Sequence, residues 1–195
     1  MLIKKLIITI VNINGKIIGH PIVSKNRYSA WFNYLILYIK AKILGLRSIY
    51  CWINKLKIII DIEDWYFARN AYLKINEFNE SCFTVHFLKE KDIFVDIGAN
   101  VGHYTLLASG ISGCRTIAIE PIPLTFKKLK QNISLNNLNS KTTLYNIGLG
   151  STEGKLFFNV VENNALSHVS SENYSDGIEI PSTTLSSLLV KIKPK

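Results

Sequence analysis

The feature that most constrains this chain is an alternation of apolar strands and amphipathic helices between Asp92 and Ile147. Asp92–Ile97 reads as a short apolar strand, His103–Ile111 as a helix spaced by Leu106, Leu107 and Ile111, and Thr116–Glu120 as a second strand. Leu124–Leu135 then reads as a helix and Thr142–Ile147 as a third strand. Strand, helix, strand at this pace implies parallel strands joined by right-handed crossovers. The strands lack polar alternation, as expected where both faces of a sheet are covered. The expected fold class is therefore α/β, with a Rossmann-like doubly wound parallel sheet over residues 91–195.

Residues 1–90 differ in character and form an expected basic α/β appendage. Leu2–Ile13 and Lys16–Val23 flank Asn14-Gly15 and read as a hairpin, because Asn-Gly suits a tight primed turn. Ser29–Leu44 reads as a helix stopped at Gly45, Ile49–Ile53 and Leu56–Ile62 as strands around Asn54-Lys55, and Asn79–Lys89 as a helix. Up to Lys91 there are 14 Lys+Arg against 6 Asp+Glu, a surplus of 8, whereas the rest of the chain has 9 against 8. A surface for an acidic partner would lie in the front half, although lysine as the default surface residue accounts for the surplus as well. Trp31, Tyr34, Leu35 and Tyr38 form an aromatic helical stripe with Lys40 and Lys42 beyond it, suited either to core packing or to peripheral membrane contact.

With 195 residues, 48% hydrophobic and 19% charged, the chain can bury a core, which excludes global disorder. Cys51, Cys82 and Cys114 show no CxxC spacing, and the four histidines show no metal-ligand spacing, so neither a disulfide scaffold nor zinc is expected. No stretch reaches the roughly 18 apolar residues of a membrane-spanning helix. The expected location is cytoplasmic.

The chemistry concentrates at two strand ends. Gly98 and Gly102 stand in the turn after the first strand, where doubly wound folds open their ligand crevice. Gly98 permits a sharp turn and close ligand approach, and Gly102 permits close packing. Glu120, 18 residues after Gly102, ends the second strand, where a carboxylate accepts both hydroxyls of a ribose. A dinucleotide fingerprint places glycine at position 100, but this chain has Asn100, and Asp96 would repel a nearby pyrophosphate. S-adenosylmethionine carries an ammonium and a sulfonium and no phosphate, so the charge pattern favours a methyl donor over NAD.

The run Val95-Asp96-Ile97-Gly98-Ala99-Asn100-Val101-Gly102-His103-Tyr104-Thr105, followed by Ile119-Glu120-Pro121, Leu129-Lys130-Gln131-Asn132 and Asn136, resembles the FkbM-type methyltransferases. The resemblance continues more loosely through Asn146–Gly150 and Glu153-Gly154-Lys155, while Tyr72–Leu88 with Glu77 looks like the family's approach segment. It implies an S-adenosylmethionine-dependent enzyme of the class I methyltransferase type that O-methylates sugars, glycans or secondary metabolites. By this resemblance Asp96, Gly98, Asn100 and Gly102 lie around the methionine portion, and Tyr104 belongs to the cofactor-binding set. Glu120 holds the ribose, and Pro121 and Ile147 flank the adenine.

The chain also departs from that pattern. Ser186 stands where most members are acidic, and Lys195 falls where the family's next strand begins. The sheet is then expected to be incomplete at the C-terminus, with the first strand left open along one edge. A truncated or split reading frame, a second chain completing the sheet, or coverage by the front section would each account for this. The expected acceptor is a small molecule or glycan rather than nucleic acid. The rivals are a non-catalytic remnant or subunit and an NAD-dependent oxidoreductase.

Five further readings are more local. His103 is either a catalytic base or a loop-facing position, and Thr105 is expected to stabilise the first helical turn. Lys127, Lys128 and Lys130 are expected on the wet face of their helix. The Asp61, Glu63, Asp64, Trp65 cluster is expected as a solvated turn, and Asn163–Gly177, with His168, as a loop.

Overall fold

The computed structural model describes residues 2–60, 65–159, 168–170 and 177–192. Helices α1 (Leu2–Ile18) and α2 (Arg27–Tyr38) come first, α2 running on into a π-helical turn at Ile39–Ile43. An antiparallel hairpin follows, β1 (Ser48–Cys51) and β2 (Lys57–Ile60), then α3 (Trp65–Leu73) and α4 (Phe78–Phe87). The next section runs β3 (Ile93–Ile97), α5 (His103–Leu107) with a π-helical turn at Ala108–Ser112, β4 (Arg115–Ile119), α6 (Pro123–Leu135) and β5 (Thr142–Tyr145). Strands β6 (Gly148–Leu149), β7 (Gly154–Asn159), β8 (His168–Ser170) and β9 (Gly177–Thr183) lead to α7 (Leu185–Ile192).

The expected parallel sheet is present. Strands β3, β4 and β5 lie side by side in that order, with Val95 opposite Ile117 and Ala118 opposite Leu144. Both faces are covered, which is why the strands read as apolar runs. On one face Leu106, Leu107, Leu129 and Ile133 pack with Ala118 and Leu144. On the other, Leu188 of α7 packs with Ile117 and Ile119, against Ile93, Val95 and Tyr145. This is a Rossmann-like, doubly wound arrangement. Among the described residues β3 pairs only with β4, so its other edge is free.

A second sheet, ordered β6-β9-β7-β8, packs around Ile122, Phe158 and Ile180. The expected loop over Asn163–Gly177 is corrected in part: His168–Ser170 pairs antiparallel with β7. The remainder of that segment up to residue 176 lies outside the described residues, as do Asp61, Glu63 and Asp64.

The expected hairpin around Asn14-Gly15 is also corrected, since α1 runs unbroken through both residues. Ile13 and Ile17, four residues apart, are buried against the core, and the Asn14 carboxamide accepts a hydrogen bond from Trp31 Nε1 at 3.3 Å. Tertiary burial of that face outweighs the β propensity of the isoleucines. Chain closure between front and rear is equally specific. Asn136 of α6 accepts from the Lys57 amide at 2.7 Å and donates to its carbonyl at 2.7 Å, and Asn132 accepts from the Ile59 amide at 2.9 Å. These carboxamides satisfy the edge of β2, and one hydrophobic core runs from Ile17 through Trp52, Ile58 and Phe67 to Leu106 and Leu129.

Candidate functional site

Strand β3 ends at the turn that leads into α5, and the turn is pinned from β4. The amides of Gly98 and Ala99 both donate to the Ile119 carbonyl, at 2.9 and 3.0 Å. Gly98 has φ +73° with nothing within 4 Å of where a Cβ would stand, so its backbone is open to a ligand. Gly102 has φ +102°, and a Cβ there would meet Leu129 Cδ1 at 2.8 Å. The first glycine leaves room and the second lets α6 pack against the turn. Between them Asn100 sits at φ 51°, a left-handed conformation asparagine tolerates better than most residues, and its Oδ1 is buried without a hydrogen-bond partner.

Glu120 reaches this loop, and Asp96, at the end of β3, is held by α5. Asp96, 7% exposed, accepts from Thr105 Oγ1 at 2.5 Å. Thr105 therefore fixes the carboxylate rather than merely stabilising its own helical turn. Burial pushes the Asp96 carboxyl above its ordinary range, and the Thr105 bonds oppose the shift. Glu120, 5% exposed, accepts from the Asn100 amide through Oε2 and from the Ile122 amide through Oε1, each at 2.9 Å. Burial raises its pKa, the two amides pull it down, and the charge of Asp96 pushes it up again. Each Glu120 oxygen keeps a lone pair free for a further donor. Asn146, a residue whose role the sequence did not reveal, donates from Nδ2 to the carbonyls of Glu120 and Pro121, both at 2.8 Å.

The other expected site residues are more dispersed. Pro121 is half-buried directly after Glu120, and Ile147 is half-buried among the residues that pack around Leu188. Tyr104 donates its hydroxyl to Glu77 Oε2 at 2.9 Å, and Glu77 begins α4 at φ 52°. Tyr104 also borders a groove of about 480 Å³ lined by Asn79, Glu80, Phe83 and Thr84 of α4 and by Phe94 of β3. Lys128 is corrected: it is 8% exposed, because it shares the inward face of α6 with Thr125, Leu129 and Asn132, while Lys127 and Lys130 remain exposed.

His103 is neither loop-facing nor placed as a base. Its ring lies among Trp52, Phe67 and Tyr104, with centroids 5.4, 6.3 and 4.8 Å away. Asn70 accepts from the Asn76 amide and donates to the Phe67 carbonyl, so its carboxamide orientation is fixed and its Nδ2 donates to His103 Nδ1 at 3.1 Å. Ser81 donates to the Asn76 carbonyl, leaving its oxygen to accept from His103 Nε2 at 2.9 Å. The network thereby assigns a neutral, Nε2-protonated imidazole. Burial drives its pKa down to about 4, with Glu77 opposing.

These residues fit a phosphate-free, cationic nucleoside. Two buried carboxylates at neighbouring strand ends suit hydroxyl and ammonium donors, the unpartnered Asn100 Oδ1 adds an acceptor, and the open side of Gly98 leaves space. A pyrophosphate would meet acceptors where it needs donors. Asp96, Gly98, Asn100 and Glu120 would hold the donor, S-adenosylmethionine.

Parts of the chain are similar to known proteins. A methyltransferase sdnD from Sordaria araneosa is 30% identical over 80 residues, 40% of this chain and 31% of that protein. A tRNA(Phe) (4-demethylwyosine(37)-C(7)) aminocarboxypropyltransferase from Pyrococcus horikoshii is 37% identical over 59 residues, 30% of this chain and 21% of that protein. The chain thus spans less than a third of either curated relative. Among solved structures, P. horikoshii TYW2 in complex with MeSAdo matches at 23% identity and a TM-score of 0.42, covering 60% of this chain and 48% of that one. Residues 96–195, more than half of the chain, match the family described as methyltransferase FkbM domain, whose members use S-adenosylmethionine. The chain belongs to the FkbM methyltransferase domain family.

Proposed function

We propose that the chain contributes to methyl transfer from S-adenosylmethionine to the hydroxyl oxygen of a sugar, glycan or secondary metabolite. The observation that carries the donor half of this reading is a pair of buried carboxylates at adjacent strand ends, Glu120 bonded to the Asn100 amide of the turn and Asp96 held by Thr105 close enough for its charge to act on Glu120. When bound, the donor supplies an electrophilic methyl group on a sulfonium. Glu120 accepts from the ribose hydroxyls, held ready by the amides of Asn100 and Ile122. Asp96 and Asn100 Oδ1 face the methionine portion. His103, neutral and hydrogen-bonded at both nitrogens, anchors the start of α5 to Asn70 of α3 and Ser81 of α4.

The acceptor assignment is supported by the groove beside Tyr104, where Phe83, Phe94 and Tyr104 offer ring faces and Asn79, Glu80 and Thr84 offer polar groups. A sugar presents both a C–H face for packing and hydroxyls for hydrogen bonding. The nearly balanced charge from Asp92 onward, 9 cations against 8 anions, suits such an acceptor better than RNA. Titration calorimetry of the wild-type chain and its Glu120→Ala variant with S-adenosylhomocysteine and with NAD tests the donor site. Binding of S-adenosylhomocysteine alone, weakened at least about tenfold by the substitution, is the expected outcome. Undiminished affinity in the variant would remove Glu120 from the site. Methyl-labelled donor incubated with a glycan panel tests the acceptor, and label on nitrogen or carbon would overturn the oxygen assignment.

A second reading is favoured by the free edge of β3: a strand from another polypeptide completes the sheet, and this chain acts as one subunit. Mass measurement of the purified species, with identification of any co-purifying chain, separates the two readings.

A further inference from the structure

Helix α2 and its π-helical continuation present two opposite faces. Ala30, Leu37 and Ala41 are buried, and Trp31 and Tyr34 pack partly against the core. The opposite face carries Tyr28, Phe32, Leu35, Ile36, Ile39 and Ile43, all exposed, with Phe32 at 64% and Ile43 at 67%. Their spacing of 4, 3, 1, 3 and 4 residues keeps them on one helical stripe. On α1, Val11 and Ile18 are 63% and 52% exposed as well. A contiguous apolar face of this kind is unusual on a solvated surface and marks an interaction site.

Charge identifies the partner. The first carboxylate in the chain is Asp61, and all ten cations up to Lys57 precede it, so the first 60 residues carry +10 and no negative side chain. Lys25, Arg27 and Lys40 are exposed along the stripe, and Arg27 lies over the Tyr28 ring with 5.4 Å to its centroid. Two copies joined through this face would bring like charges together. Single-stranded RNA would draw on aromatic stacking and cations, and would have no use for Leu35, Ile36, Ile39 and Ile43. An aliphatic stripe edged by cations, with tyrosines at its margin, matches the boundary between acyl chains and anionic headgroups. None of the described helices is long and apolar enough to cross a membrane, so this one would lie in the surface plane.

We propose that the exposed stripe of α2 docks the protein on an anionic lipid bilayer. The assignment is independent of which acceptor the donor site serves. Co-flotation of the whole chain with phosphatidylcholine vesicles, with and without phosphatidylglycerol, tests it directly. Binding is expected only to the anionic vesicles, to weaken more than about tenfold in the double variant Phe32→Asp/Ile39→Asp, and to fall about fivefold for each of Lys25→Gln and Lys40→Gln. All four positions are exposed, and unchanged circular dichroism melting of the variants establishes that loss of binding is not loss of fold. Failure to float with anionic vesicles, or equal binding to neutral ones, overturns the proposal. Binding to an RNA oligonucleotide in place of vesicles, or a dimer dissolved by the Phe32→Asp/Ile39→Asp variant, would overturn it in favour of the other occupant.

Discussion

Replacing His103 by glutamine should flatten the acid side of the stability curve. Protonating His103 would set a new N–H against the Asn70 Nδ2–H that already points at Nδ1, and Asn70 cannot turn over without breaking its bonds to Asn76 and Phe67. Burial takes the folded-state pKa down to about 4 from the ordinary 6.5, against the opposing charge of Glu77. At pH 7 the residue is neutral in both states and contributes no pH dependence. Between these two values the unfolded chain binds a proton that the folded chain refuses, so stability is lost as pH falls from 6.5 toward 4. At pH 5 the loss is 1.5 pH units at about 1.36 kcal/mol each, or about 2 kcal/mol. Asp96 and Glu120, whose folded-state pKa values are raised, act in the opposite direction, but they are common to both proteins and cancel in the difference. Urea unfolding at pH 7 and pH 5 measures the effect. The His103→Gln variant starts about 1–2 kcal/mol less stable at pH 7, through loss of the ring acceptor that Asn70 Nδ2 bonds, and then loses about 2 kcal/mol less than wild type on acidification. Parallel loss in the two proteins, or an imidazole resonance absent from the variant that titrates near pH 6.5, would refute the assigned neutral network.

The two glycines of the turn should separate stability from ligand binding. Gly102→Ala places a Cβ 2.8 Å from Leu129 Cδ1 at φ +102° and should cost about 2–4 kcal/mol by thermal unfolding, whereas Gly98→Ala meets no atom, should cost about 1 kcal/mol, and should mainly weaken S-adenosylhomocysteine binding. Asn136→Ala leaves the Lys57 amide and carbonyl without their partner and should cost about 1–2 kcal/mol, with faster amide exchange at Lys57 and Ile59 as its local signature. Asn100→Gly keeps the left-handed turn but deletes the free acceptor, so calorimetry should show weaker S-adenosylhomocysteine binding, while the ligand-free protein gains about 1–2 kcal/mol in stability by losing the unpaired oxygen.

What the sequence disclosed was local. Asp92–Ile97, Thr116–Glu120 and Thr142–Ile147 each pack both faces against helices, so a continuous apolar run carried the information and the strands lie within one or two residues of expectation. The front failed where tertiary contact reversed local preference: Leu2–Ile18 is rich in β-branched residues around an Asn-Gly pair, yet Ile13 and Ile17 bury as a helical face. Lys128 was misplaced for a related reason. A lysine within the run Lys127-Lys128-Leu129-Lys130 looks solvated until the inward face of α6 is fixed by Thr125 and Asn132. His103 was ambiguous because its partners, Asn70 and Ser81, lie 33 and 22 residues away.

Asn100 shows how a departure from a glycine pattern becomes a clue. The turn needs a left-handed residue at this point, φ 51°, which glycine supplies without cost and asparagine supplies at a modest one. Glycine would meet the conformational need and donate the same amide to Glu120 Oε2. Its one deficiency is the absence of a side-chain acceptor. A buried, unpaired carboxamide oxygen costs about 1–3 kcal/mol in the free protein, so the substitution that would relieve it is available and conformationally simple. A ligand N–H or O–H donated to this oxygen would return that cost on binding. S-adenosylmethionine offers such donors, so on the proposed reading Asn100 Oδ1 joins the two carboxylates beside it in holding the methyl donor.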